Sequence, residues 1–85
     1  EEFNFKGSAK DLLITSQLRT ALVLSKNIKS NNYNIDTYKK KIFIYGIALT
    51  SDERDEVIKE AKQILDVEKV IASILLVEDL RIQKD

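Results

Sequence analysis

The sequence predicts an α+β fold of order α-β-β-α-β, with two helices packed on one face of a three-stranded mixed sheet. Three observations carry this. Ile14, Leu18, Ala21 and Leu22 recur at i, i+4, i+7 and i+8, one face of a 3.6-residue period. Two runs rich in β-branched and aromatic residues, 33–38 and 42–48, flank Lys39-Lys40-Lys41 at hairpin spacing. A second helical period is then followed by residues 70–77, a stretch without a charge that is too short for a preferred helix.

Taken in order, residues 1–10 form a polar lead that contains Phe3 and Phe5 and ends near Gly7-Ser8, the composition of a linker. The first helix is expected over residues 11–25. Residues 26–32, rich in Lys, Ser and Asn, read as a connection. The hairpin follows. Thr50 and Glu53 have the spacing of a capping box, and Val57, Ile58, Ala61, Ile64 and Leu65 continue at helical spacing, so a second helix is expected over 52–65. Residues 70–77 make the third strand and 79–85 a tail. A strand-helix-strand crossover is right-handed and leaves its strands parallel, so the second and third strands should run parallel beside an antiparallel hairpin.

Composition narrows the function. The chain has 85 residues, 14 basic and 14 acidic, with no Cys and no His. That removes thiolate nucleophiles, imidazole bases and the usual zinc ligands, so no catalytic residue, metal site or cofactor is expected and the chain reads as a non-enzyme. Asp52, Glu53, Asp55 and Glu56 sit at a helix start, where the macrodipole favours acids without any chemistry. The zero net charge conceals an asymmetry, because residues 6–41 carry eight basic side chains against two acidic ones. One half can thus meet an anionic surface, although such a dipole also serves solubility. No apolar run is long enough to span a bilayer and no signal peptide is seen. The start at Glu1 fits a processed or excised chain, and the lack of Cys fits an oxidising envelope as well as a cytosol.

Asp11, Ile14 and Leu18 opening a helix, Ile42-x-Ile44-x-Gly46-x-Ala48, Ser51-x-x-Arg54 with Ala61 behind it, and Val67-x-x-Val70-x-x-x-Ile74 resemble the BON domain. The resemblance covers residues 11–78. It is nearest to the second domain of a twin-BON outer-membrane lipoprotein, through Asp11-Leu12-Leu13-Ile14-Thr15. It implies a periplasmic, outer-membrane-associated module that binds phospholipid and supports envelope integrity. The pattern is broken at three places: its hairpin glycine is Lys40 or Lys41, the glycine before Val67 is Asp66, and the small polar residue near Ala72 is apolar.

Three surfaces are candidates for function. On the first helix, Leu13 and Leu24 lie nearly opposite the core stripe with Gln17 and Thr20 around them, and Leu12 and Val23 sit on the flank. Such a face, with Lys10, Arg19 and Lys26 beside it, suits a shallow position at an anionic headgroup layer, and the resemblance implies the same surface. Lys39, Lys40 and Lys41 at the hairpin tip either add electrostatic attraction or discourage edge pairing. On the sheet, Ile35, Ile42, Ile44, Ala48, Val70, Ala72, Ile74 and Leu76 share one face, and Phe43, Tyr45, Ile47, Ile71, Leu75 and Val77 the other. With both helices on one side, the second face should be an interface covered by the Phe3-Phe5 lead, a neighbouring BON domain or a second copy. Gly46 on the helix-facing side either lets a helix approach closely or marks a bulge. No nucleic-acid partner is expected, since no GxxG clamp occurs.

Overall fold

A computed structural model describes residues 8–77. Along it run α1 (Ala9–Leu24), a 3-10 turn (Ser30–Asn32), β1 (Tyr33–Tyr38), β2 (Lys41–Ala48), α2 (Ser51–Lys62) and β3 (Lys69–Leu76), the expected α-β-β-α-β order. The sheet order is β1-β2-β3, with β1 antiparallel and β3 parallel to β2. A two-residue turn can only reverse the chain, whereas the α2 crossover restores its direction, so the sheet must be mixed.

Helix α1 starts at Ala9 because the Ser8 hydroxyl accepts the Asp11 N–H at 3.1 Å. The N-cap therefore falls in what the sequence suggested was the lead. The period then buries Ile14, Leu18 and Leu22 against β1. Helix α2 is capped by Thr50, whose hydroxyl accepts the Glu53 N–H at 3.1 Å, and it buries Val57 and Ala61. It ends at Lys62, short of the expected residue 65. Successive tight turns, from Ile64 N–H to the Ala61 carbonyl and from Val67 N–H to the Ile64 carbonyl, reverse the chain toward β3. Ile64 and Val67 pack on the core, and Leu65 between them is turned out, 78% exposed. The expectation that the helix continues to Leu65 is thus corrected.

Both helices lie on one face of the sheet, where Ile35, Ile42, Ile44 and Ala48 are buried with the helix stripes. Ile28, in the connection before β1, is also buried. Ala72 belongs to this face by alternation yet is exposed on the edge strand β3, although Val70, Ile74 and Leu76 of the same face pack on the core.

Tyr38 pairs with Lys41, which opens β2, so Lys39 and Lys40 alone make the turn, at φ 51° and 67°. Two successive positive φ values define the primed turn that suits strand twist, and Asn-Gly is its favoured sequence. The broken BON pattern thus has a physical correlate. Lys40, one of the two positions at which the resemblance expects the hairpin glycine, and Asp66, at which it expects another, both hold left-handed backbone, whereas Lys41 does not. Replacing Lys39-Lys40 by Asn-Gly is expected to raise stability by about 1 kcal/mol, the penalty for a non-glycine residue in that region. A higher urea midpoint checks this, and a lower one would mean that the lysine side chains themselves stabilise the turn.

Candidate functional site

Helix α1 has more apolar residues than its core stripe can use. With Ile14, Leu18 and Leu22 turned inward, the 100° step leaves Leu12 and Leu13 outward at one end and Val23 and Leu24 at the other, all exposed by more than half. Gln17 and Thr20 lie exposed between them, and Lys10 and Arg19 are exposed cations on the two flanks of that face. The structure therefore gathers Leu12, Leu13, Gln17, Thr20 and Leu24 on one solvent-facing surface of a helix about 24 Å long.

The hairpin lysines are held beside the first turn of this helix. Asp11, only 4% exposed, accepts the Lys39 N–H on Oδ2 at 2.8 Å and the Lys40 N–H on Oδ1 at 2.9 Å. On the other side the Lys40 carbonyl accepts the Glu68 N–H at 2.8 Å. The turn is therefore docked on both sides. A second tie joins the Thr15 and Thr37 hydroxyls at 2.6 Å. Burial by itself raises the Asp11 pKa, but the N–H groups of Lys40 and Lys39, with Ser8, outweigh it and hold the carboxyl below its ordinary value. Lys39 is exposed with its Nζ 5.4 Å from the Tyr38 ring centre, while Lys40 and Lys41 are half-buried. Lys10 meets Asp66 at 3.3 Å on the same flank of α1. Sequence reasoning used Asp11 only as a helix opener. Nothing local revealed that its carboxylate serves a turn 28 residues away.

Glu53 requires the larger correction. Beyond an acid favoured by the dipole of a helix start, it is 5% exposed and accepts three hydrogen bonds. Lys29 N–H and the Tyr33 hydroxyl reach Oε2 at 3.0 and 2.9 Å, and Leu49 N–H reaches Oε1 at 3.0 Å. The capping box is thus half formed: Thr50 caps Glu53, but the carboxylate serves Leu49 and the segment before β1. Burial raises its pKa, and the N–H groups of Lys29 and Leu49 with the Tyr33 hydroxyl more than reverse this, so it lies below the ordinary value. The Tyr33 hydroxyl is pushed well above its ordinary value, first by burial and then by the bond to Glu53 and its charge. Every polar atom of the cluster has a partner, which makes it a structural joint between α2, β1 and the connection.

On the sheet side away from the helices, Phe43, Ile71 and Val77 are half-buried and Tyr45, Ile47 and Leu75 are exposed. Val77 follows the last strand residue, Leu76, rather than sitting in the strand. On this face β1 contributes exposed Asn34 and Asp36, so the apolar surface is confined to β2 and β3. Phe3 and Phe5 lie outside the described residues.

Gly46 permits a close approach, but not by a helix. A Cβ there would overlap the Asn32 carbonyl oxygen and stand 2.7 Å from a Tyr33 ring carbon. The register from Tyr33↔Gly46 to Tyr38↔Lys41 is unbroken, so there is no bulge either. The glycine makes room for the start of β1 and for the ring that carries the hydroxyl to Glu53.

A family model described as "BON domain" matches residues 10–78, which include every element of this fold from the first turn of α1 to the end of β3. The chain is also 33% identical over 76 residues to a protein of Anaplasma centrale described as "Uncharacterized protein in gshII 5'region". That match takes in 89% of the chain and 50% of the relative, so the chain spans about half the length of the curated protein it matches. With its element order, its mixed sheet and a match over most of its length, the chain belongs to the BON domain family.

Proposed function

We propose that the chain is a non-enzymatic module of the bacterial cell envelope that docks on anionic phospholipid surface through the outer face of α1, with Lys39, Lys40 and Lys41 beside it. At family level BON domains are non-catalytic, envelope-associated and linked to phospholipid. A periplasmic position at the outer membrane and a contribution to envelope integrity are part of the proposal. What supports it is the exposed Leu12 and Leu13 in the opening turns of α1, the same end of the helix at which the buried Asp11 holds the basic turn.

The magnitudes favour reversible docking. A fully buried leucine side chain contributes about 1.5–3 kcal/mol and a partly inserted one less. Each lysine near an anionic leaflet adds about 1 kcal/mol. Leucines and lysines are thus of similar weight, and removing either set should be visible. In flotation with vesicles containing phosphatidylglycerol, Leu13→Asp is expected to weaken binding several-fold with thermal stability nearly unchanged, since Leu13 is 54% exposed. Replacing Lys39, Lys40 and Lys41 by Gln is expected to weaken binding and flatten its salt dependence. Wild-type flotation in the Leu13→Asp variant would remove α1 from the site. Full binding by the lysine variant together with increased aggregation would mean that the lysines guard a sheet edge instead.

A second reading is favoured by the exposed Tyr45, Ile47 and Leu75 and by a relative twice as long as the matched region. On that reading the open sheet face receives a neighbouring BON domain or another partner.

A further inference from the structure

The two edges of the sheet are built differently. β1 is six residues long, has α1 packed on one side and shows Asn34 and Asp36 on the other. β3 is eight residues long, pairs with β2 without interruption, has no proline, and carries its charge only at Lys69. Among the described residues its outer edge has no backbone partner. A long, apolar, regular edge is a template for another strand, and proteins that keep such an edge bare blunt it with charge, proline or a bulge. None of these devices interrupts residues 70–76. Ala72 adds a second sign, because it is exposed on the face that should be core.

We propose that β3 pairs antiparallel with β3 of a second copy of this chain, about a two-fold axis at Ser73, to give a continuous six-stranded sheet. Side-chain alternation restricts the choice, since opposed residues in such a pair share a face and a one-residue slip would set core positions against outward ones. With Ser73 opposite itself, Ile71 faces Leu75, Val70 faces Leu76 and Ala72 faces Ile74, each twice by symmetry. Lys69 then lies opposite Val77, so no like charges meet within the strand. Centring the pair on Ala72 would set Ile71 against Ser73 and Lys69 against Leu75, and centring it on Ile74 would set Ser73 against Leu75 and leave Lys69, Val70 and Ile71 opposite nothing in the strand. The Ser73 register alone matches apolar to apolar on both faces and covers Ala72 with an isoleucine.

The axis stands perpendicular to the sheet, so both helix layers fall on the same side. If α1 binds membrane as proposed above, the dimer shows two such helices to one surface and gains avidity. That consequence rests on the lipid reading, but the pairing does not.

Sedimentation velocity of the 85-residue chain over a wide concentration range tests the pairing. The mass is expected to rise with concentration toward that of a dimer. Ser73→Lys and Ser73→Asp, both at an exposed position, should each stay monomeric because like charges meet at the axis. An equimolar mixture of the two should associate again. Tyr45→Lys, on the open face, should associate as wild type does. A wild type that stays monomeric at the highest concentration, a Ser73→Lys variant that dimerises normally, a mixture that fails to associate, or loss of association in Tyr45→Lys would each overturn the proposal. Flotation of the monomeric Ser73→Lys variant on anionic vesicles reports on α1 separately, so failure of the pairing and failure of the lipid reading are distinguishable.

Discussion

Glu53→Ala is expected to destabilise the fold by about 3 kcal/mol or more, because it strands three buried donors that each cost about 1–3 kcal/mol when left unpaired. Those donors are the Lys29 and Leu49 N–H groups and the Tyr33 hydroxyl. Against a total of about 5–15 kcal/mol for an ordinary domain, and less for a small one, this is enough to leave a substantial unfolded fraction at moderate temperature. Tyr33→Phe removes one donor and keeps the ring, so it should cost only about 1 kcal/mol. Urea midpoints rank the two variants, and a loss below that of Tyr33→Phe in Glu53→Ala would mean that the cluster is not the joint described here.

The same carboxylates give stability a pH dependence of definite sign. Asp11 and Glu53 are both held below their ordinary values of 3.8 and 4.5 in the fold. Their stabilisation is therefore complete above those unfolded-state values and is lost as pH falls through the lower folded ones. The wild-type urea midpoint should be flat near neutrality and should fall in acid. In Glu53→Ala the acid fall should be shallower, since one of the two linked protons has gone.

Gly46→Val is expected to cost about 2–4 kcal/mol, in the range of overpacking combined with a backbone shift. The added Cβ meets the Asn32 carbonyl oxygen, a backbone atom that cannot swing aside as the end of a side chain can. Relief requires the start of β1 to move, and Tyr33 would take its hydroxyl away from Glu53 as it did so. Gly46→Ala should act in the same direction with a smaller loss. Thermal unfolding measures both, and wild-type stability in Gly46→Val would mean that β1 begins farther from β2 than the register states.

These two sites show where the sequence could be read and where it could not. The elements were legible because each reports its own burial locally. Ile14, Leu18 and Leu22 mark one helix face, and Ile42, Ile44 and Ala48 mark one strand face, whatever packs on them. The charge-free run that became β3 and the crossover rule together placed it parallel to β2. The carboxylates were harder because their partners are remote in sequence. Asp11 accepts from a turn 28 residues on, and Glu53 accepts from Lys29, 24 residues back. A capping spacing describes the N–H of such a residue and says nothing about where its side chain goes. Leu65 failed for a related reason, since its spacing fits the helix but the reversal through Asp66 ends α2 first. Gly46 was legible as a site of close approach, whereas the identity of what approaches depended on the β1–β2 register. The outward leucines of α1 were readable as a surplus, because three inward positions already fill the stripe.

The central claim is that α1, and not the open sheet, is the part that touches membrane. The chain has no tryptophan, so one placed at a chosen position is an unambiguous reporter. Leu13→Trp sets the indole on the outer face of α1, and Tyr45→Trp sets it on the open sheet at a position similarly exposed. On mixing with phosphatidylglycerol vesicles that contain brominated acyl chains, Leu13→Trp should shift to the blue and be quenched, and added salt should reverse both changes. Tyr45→Trp should show neither change. Quenching at Tyr45→Trp with none at Leu13→Trp, or no change at either position, would contradict the account.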